Sequence, residues 1–147
     1  GLVSKRELFK VPILNKIIHK RFCLPLDRKN AKNGKTTITR AAEIIGSQCA
    51  SIGIYPEGTC RAEPELLPFK TGAFKIAQQA ECPIAVVVIQ NSELVAKRAP
   101  FGKTNVFVRV VGVIGAEEVK ECKTAQLSER VRDMMNQALT AGNTDPF

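Results

Sequence analysis

The sequence predicts an α/β fold: a central sheet, mostly parallel or mixed, with helices on both faces. Three observations predict it. Pro83-Ile84-Ala85-Val86-Val87-Val88-Ile89 is an unbroken apolar run of the kind found in strands covered on both faces. Stretches with apolar residues at helical spacing, such as Thr36 to Gly46 and Thr124 onward, alternate with short apolar runs bounded by Pro, Gly and charged residues. A Pro56-Glu57-Gly58-Thr59 turn falls where a short buried strand hands over to a helix, and strand–helix alternation is the pattern of layered α/β domains.

In chain order, Lys5 to Lys20 places Leu8, Val11, Leu14, Ile17 and Ile18 on a helical stripe, with Lys10, Lys16 and Lys20 off it. Pro12 fits near a helix start, where its missing N–H costs little. The predicted helix packs one face on a sheet, and lysines flanking such a stripe can also rest on anionic lipid. Phe22 to Leu26 reads as a strand leaving through Asp27-Arg28, and Asn30 to Lys35 as a loop. Thr36 to Gly46 reads as a helix with Ile38, Ala41, Ala42 and Ile45 on one face and Gly46 as its C-terminal cap. Cys49 to Ile54 is the strand before the turn, and Thr71 to Ala80 the helix after it. Asn91 to Thr104, with Lys97, Arg98 and Lys103, reads as a solvated basic loop. Asn105 to Ile114 alternates as a strand, with Val106, Val108 and Val110 on one face. From Thr124 a last helix carries Leu127, Val131, Met134, Met135 and Ala138 inward and is closed by Gly142; the Met pair reads as core filling.

The 147 residues are 44% hydrophobic and 24% charged, which suits one domain over residues 1–147 with a core of its own. The net charge of +8 calls for an anionic partner: nucleic acid, anionic lipid headgroups or a phosphorylated small molecule. With one Tyr and no Trp there is no aromatic interleaving for nucleic acid, and that partner is disfavoured. Gly34-Lys35-Thr36 and Gly102-Lys103-Thr104 lack the earlier glycine of a nucleotide-binding loop. Five cysteines, odd in number and without a Cys-x-x-Cys spacing, indicate neither a disulfide framework nor a zinc site, and no metal is expected. They fit a reducing compartment. No apolar run approaches the roughly 18 residues of a membrane span, so the expectation is a segment peripheral to the cytoplasmic side of a membrane.

The chemistry concentrates in Tyr55-Pro56-Glu57-Gly58-Thr59-Cys60-Arg61 followed by Phe69-Lys70-Thr71-Gly72. Such a turn offers a carboxylate, a hydroxyl and a glycine that lets a ligand approach the backbone. At these residues the chain resembles the glycerolipid acyltransferase family, typified by the 1-acylglycerol-3-phosphate acyltransferases. The family's third block reads Phe-Pro-Glu-Gly-Thr-Arg and is followed by Phe-Lys-x-Gly; here Tyr55 replaces the Phe and Cys60 the Arg. The second block, Lys-x-Glu-Leu, a Pro and a strand ending Asp-Arg, is matched by Lys5, Glu7, Leu8, Pro12, Asp27 and Arg28, with Asn15 and Phe22 where the family commonly has Gly. In the fourth block Pro83 and Ile84 match, and Val86 replaces the second Pro.

The resemblance implies a glycerol-phosphate acyltransferase-like fold and transfer of a fatty acyl group to 1-acylglycerol 3-phosphate, giving phosphatidic acid. The donor would be acyl-CoA or acyl-carrier protein as co-substrate, with no further cofactor. Family catalysis uses a His-x-x-x-x-Asp block. The sole histidine here, His19, has Leu24 in the Asp position and reads as a helix-surface residue. The family's block precedes Lys-x-Glu-Leu, so the resemblance places it upstream of Gly1. The expectation is an acyltransferase domain truncated at its N-terminus, inactive in isolation, with no catalytic residue in this segment. What the segment then supplies is the phosphate and glycerol side of the site. Arg28 would hold the phosphate bidentately, with Lys5 a further cation and Arg61 standing in for the family's arginine one position late. Glu57 would orient Arg28 or accept a glycerol hydroxyl, and Gly58 and Thr59 would offer backbone N–H groups. Lys10, Lys16, Lys20 and Arg21 would meet an anionic membrane surface. The alternative is a catalytically silent lipid-phosphate or membrane-surface binding module built on the same basic site.

Overall fold

In the computed structural model, which describes residues 1–26, 31–59 and 66–141, the chain opens on a parallel pair. Strand β1 (Val3–Lys5) aligns with β2 (Leu24–Leu26), Val3 opposite Leu24 and Lys5 opposite Leu26. On its other side β1 receives the segment that leads to the Pro-Glu-Gly-Thr turn. There Val3 N–H donates to Gly53 O (3.0 Å), Gly53 N–H donates to Gly1 O (2.9 Å), and Leu2 and Gly53 form a parallel bridge. The strand predicted over Cys49 to Ile54 is reduced to this bridge. Farther along, β3 (Ile84–Gln90) and β4 (Phe107–Ile114) pair antiparallel, Ile84 opposite Ile114 and Gln90 opposite Phe107. Parallel and antiparallel pairing are thus both present, divided between two small sheets among the described residues.

The helix predicted over Lys5 to Lys20 is divided. Residues 3–5 are β1, Arg6–Lys10 is a 3-10 turn, and helix α1 runs Pro12–Lys20. Pro12 explains the break: it has no N–H to give a preceding turn, and it forces Val11 into an extended conformation (φ −80°, ψ 118°). Helix α2 (Ala31–Gly46) starts earlier than expected and absorbs the part of the predicted loop from Ala31 to Lys35. It buries Thr37, Ala41, Ala42 and Ile44, so its inner face is turned slightly from the predicted one, with Ile38 and Ile45 at the margin. The Thr37 hydroxyl donates to Pro25 O at 2.8 Å, tying α2 to β2 and leaving no unpaired hydroxyl on the buried face.

After the turn, a short 3-10 piece (Thr71–Ala73) leads into α3 (Lys75–Ala80), close to prediction. The expected basic loop holds a helix, α4 (Ser92–Arg98), with Glu93 in its first turn and Lys97 and Arg98 in its last, an order that complements the helix dipole. Helix α5 (Ala116–Glu121) has the same polarity, with Glu117 and Glu118 ahead of Lys120, and was not predicted. Helix α6 (Thr124–Ala141) matches its prediction over the described residues; Gly142 lies outside them.

The core gathers Phe69, Phe74, Val86, Ile114, Val119, Leu127 and Val131, with Met134 and Met135 packed against it as filling. Gln78 ties the elements at its edge, donating from Nε2 to Cys122 O at 2.6 Å and so binding α3 to the end of α5. Helix α6 covers one face of the β3–β4 pair, packing on Val86 and Ile114, and Val88 on the same face is buried as well. Ala85, Val87 and Ile89 face the other way, opposite Val113, Val110 and Val108 in register, and are exposed. The run predicted to be covered on both faces is therefore covered on one. An irregularity between Val86 and Val87 adds Val111 to β4 as an extra residue, which keeps Val110 and Val113 on the same side.

Candidate functional site

Parallel pairing puts the ends of β1 and β2 and the start of the Pro-Glu-Gly-Thr turn at one edge of the small sheet. In α/β proteins this carboxyl-end edge is where ligands bind. Lys5 is the last residue of β1, exposed, with its backbone extended (φ −62°, ψ 132°) as the 3-10 turn begins. Leu26, its register partner, ends β2. Asp27 and Arg28 come next in the sequence and lie outside the described residues, as do Cys60 and Arg61.

The turn itself is closed by Gly58 N–H donating to Tyr55 O at 3.0 Å. Gly58 has φ +70°, a left-handed conformation that glycine adopts without steric penalty. Its N–H is committed inside the turn, so of the two donors expected from Gly58 and Thr59, that of Gly58 is taken. Thr59 is exposed. Glu57 is partly buried, and its Oε2 accepts from Leu67 N–H at 3.4 Å. Lys70 N–H donates to Pro56 O at 2.8 Å, and its side-chain stem lies beside Gly58, with Cγ 3.7 Å from where a Cβ would stand.

These bonds fold the segment from Leu66 to Lys70 back over the turn. Two further anchors hold that segment from behind: Phe69 is buried in the core, and Arg132 on α6 donates from Nη2 to Leu66 O at 3.2 Å. The structure therefore brings Glu57, Gly58 and Lys70 together and sets Lys5 at the same sheet edge. The sequence marks Lys70 as part of the Phe69-Lys70-Thr71-Gly72 block and as a helix entry that favours an anion; its proximity to Gly58 depends on the return of the chain. Arg132 has no sequence signal at all, since it acts from a helix far along the chain.

His19 lies exposed on α1 with its ring edge-on to Phe9, centroids 5.5 Å apart. Among the described residues, no group of three or more His, Cys, Asp or Glu side chains could hold a metal ion, and no helix is long and apolar enough to cross a membrane. Cys23, Cys49, Cys82 and Cys122 are free thiols. Partial burial raises the pKa of Cys82 above its ordinary value, against a smaller opposing effect of a backbone hydrogen bond.

Residues 2–90 match the family model described as Acyltransferase. The 1-acyl-sn-glycerol-3-phosphate acyltransferase of Saccharomyces cerevisiae is 33% identical over 138 residues, covering 91% of this chain and 46% of its own length. A putative 1-acyl-sn-glycerol-3-phosphate acyltransferase of Caenorhabditis elegans, acl-1, is 51% identical over 57 residues, which cover 39% of this chain and 21% of its own. Among solved structures, the 1-acyl-sn-glycerophosphate (LPA) acyltransferase PlsC from Thermotoga maritima superposes with a TM-score of 0.73 at 19% identity, over 100% of this chain and 58% of that one. This likeness is one of fold. The chain spans about half the length, or less, of the curated relatives it matches.

Proposed function

This chain belongs to the acyltransferase family, and from that premise we propose that its protein transfers a fatty acyl group from acyl-CoA or acyl-carrier protein to 1-acylglycerol 3-phosphate. The product is phosphatidic acid, made for phospholipid synthesis. The free glycerol hydroxyl attacks the thioester carbonyl, an ester C–O bond forms as the C–S bond breaks, and the hydroxyl proton passes through a general base to the departing thiolate. The 147 residues supply the phosphate and glycerol side of that reaction.

The observation that carries this reading is the meeting of the Pro-Glu-Gly-Thr turn with the end of β1 at one sheet edge, where Lys5 is exposed. Phosphate is held by Arg28 through paired N–H donors, with Lys5 and Arg61 adding positive charge and Thr59 a hydroxyl and an N–H. Glu57, steadied by Leu67 N–H, keeps lone pairs for a glycerol hydroxyl or for Arg28. Gly58 serves through its shape. Acceptor and product are amphiphiles, so the reading includes peripheral contact with an anionic membrane surface on its cytoplasmic side.

A second reading rests on the same exposed Lys5 at the sheet edge, which can hold a phosphate without any acyl transfer following. The same basic site would then serve a silent lipid-phosphate binding module. Acyl transfer from a long-chain acyl thioester to lysophosphatidate, assayed with the full-length gene product beside Arg28→Ala and Glu57→Ala, separates the two. Activity that collapses in both variants supports the transferase. An inactive parent that binds lysophosphatidate supports the silent module, and an active parent indifferent to both substitutions refutes the placement of the site.

A further inference from the structure

Helix α1 carries more apolar surface than the fold uses. Leu14 and Ile18 point inward, and Ile18 is buried. Ile13 and Ile17, one turn apart on the adjoining face, are 79% and 55% exposed, and Val11 and Phe22 at the two ends of the helix are exposed as well. Scattered exposed apolar residues are ordinary on protein surfaces; a contiguous set on one helix face marks a contact.

The charges around this face are all of one sign. From Leu8 to Leu26 the sequence has no Asp or Glu, while Lys10, Lys16, Lys20 and Arg21 are exposed. Lys16 and Lys20 stand one turn apart beside Ile13 and Ile17. A helix with an apolar arc bordered by lysines is the pattern of helices that lie in the plane of a bilayer, apolar side chains in the acyl boundary and ammonium groups among lipid phosphates. A protein partner could match the apolar arc. Lysines beside that arc, with no carboxylate from Leu8 to Leu26 and on a chain of net charge +8, match an anionic lipid surface.

We propose that α1 is an interfacial helix which docks the protein on anionic bilayers by inserting Ile13 and Ile17, with Lys16 and Lys20 beside them on the headgroups. The proposal deepens the lipid-substrate reading and rests on it for its purpose, but docking is measured without acyl transfer. The helix orients the sheet edge, because the short 3-10 turn Arg6–Lys10 joins α1 directly to Lys5. Docking through α1 holds the end of β1 close to the headgroup layer, where a lysolipid phosphate resides.

In the 147-residue chain, which has no tryptophan, the one introduced by Ile17→Trp reports alone. On adding vesicles of equal parts phosphatidylglycerol and phosphatidylcholine, its emission shifts to the blue, while that of Gln137→Trp, exposed on α6, stays put. Co-sedimentation with the same vesicles falls roughly tenfold or more in Lys16→Glu/Lys20→Glu, and falls in Ile13→Ser/Ile17→Ser, whose side chains lie outside the core. Pure phosphatidylcholine vesicles bind the parent weakly. The proposal is overturned by an unshifted emission of Ile17→Trp with bound vesicles, or by serine variants that sediment like the parent. Serine variants that lose a dimer while binding vesicles normally would assign the face to a second copy and overturn it equally. A full-length gene product that docks through α1 and is inactive would sink the transferase reading alone; an active one with an indifferent Ile17 would sink this one alone.

Discussion

Lys70 N–H donates to Pro56 O across 2.8 Å, and that bond carries the chain back over its own turn, setting the lysine's stem beside Gly58. A backbone bond places the side chain, so the position depends on the turn keeping its shape. The first expectation concerns that shape.

Gly58→Ala adds a methyl group for which there is space, since the nearest Lys70 atom is at ordinary contact distance. The cost comes from the backbone at φ +70°, roughly 1–2 kcal/mol for an L-residue in the left-handed region. Thermal unfolding should show a lower Tm for Gly58→Ala, with Gly58→Asn intermediate because Asn tolerates this region better. Equal Tm values for parent and Gly58→Ala would mean that the turn relaxes freely.

Glu57 has two separable duties. Glu57→Gln keeps an oxygen for Leu67 N–H, whereas Glu57→Ala leaves that donor unpaired at a cost of about 1 kcal/mol. Chemical denaturation should rank parent and Gln together above Ala. Lysophosphatidate transfer should fall in both, because Gln lacks the charge that acts on Arg28 or on the glycerol. If Gln transfers as well as the parent, Glu57 is a brace and nothing more.

Leu127 is fully enclosed between α6 and the sheet, and Leu127→Ala should cost about 2–5 kcal/mol. Val110→Ala, on the open face of β4, should stay within about 0.5 kcal/mol. Urea midpoints for the two variants give the comparison directly.

Cys82 keeps its proton to higher pH than an ordinary thiol because partial burial disfavours the thiolate. Only the thiolate is alkylated, so the iodoacetamide rate at Cys82 should reach half its maximum at a higher pH than that of an ordinary exposed cysteine. Peptide mapping by mass spectrometry separates this site from the other thiols, and a midpoint at or below that of a free cysteine peptide would contradict the burial effect.

The elements legible in the sequence were those whose period is long and regular. Leu127, Val131, Met134 and Met135 announce α6, and Ile84 to Ile89 announce β3, because each pattern repeats often enough to outweigh local noise. Val3 and Ser4 carry no predicted element and Lys5 falls in a predicted helix, since three residues have no period and the stripe beyond them is helical. Ala116–Glu121 was missed for the same brevity, though its charge order, Glu before Lys, was there to be read. At the site, Glu57 and Gly58 were legible as a motif, while the uses of their atoms were not. Gly58 N–H turns to Tyr55 and Glu57 to Leu67, choices made by the returning chain, and Arg132 enters through packing that no local spacing encodes.

The parallel register of β1 with β2 and of Leu2 with Gly53 bears on when the binding edge comes into being. An antiparallel pair such as β3 and β4 can grow from neighbouring residues, but parallel partners must first close the loops between them, and loop closure is slow. The edge carrying Lys5 and the Pro-Glu-Gly-Thr turn is stitched from three distant stretches of chain. Its parts can meet only once α2 has returned the chain from β2 to Gly53. The edge proposed to hold phosphate is therefore complete only when all three stretches have met, and lysophosphatidate binding at that edge would report their meeting.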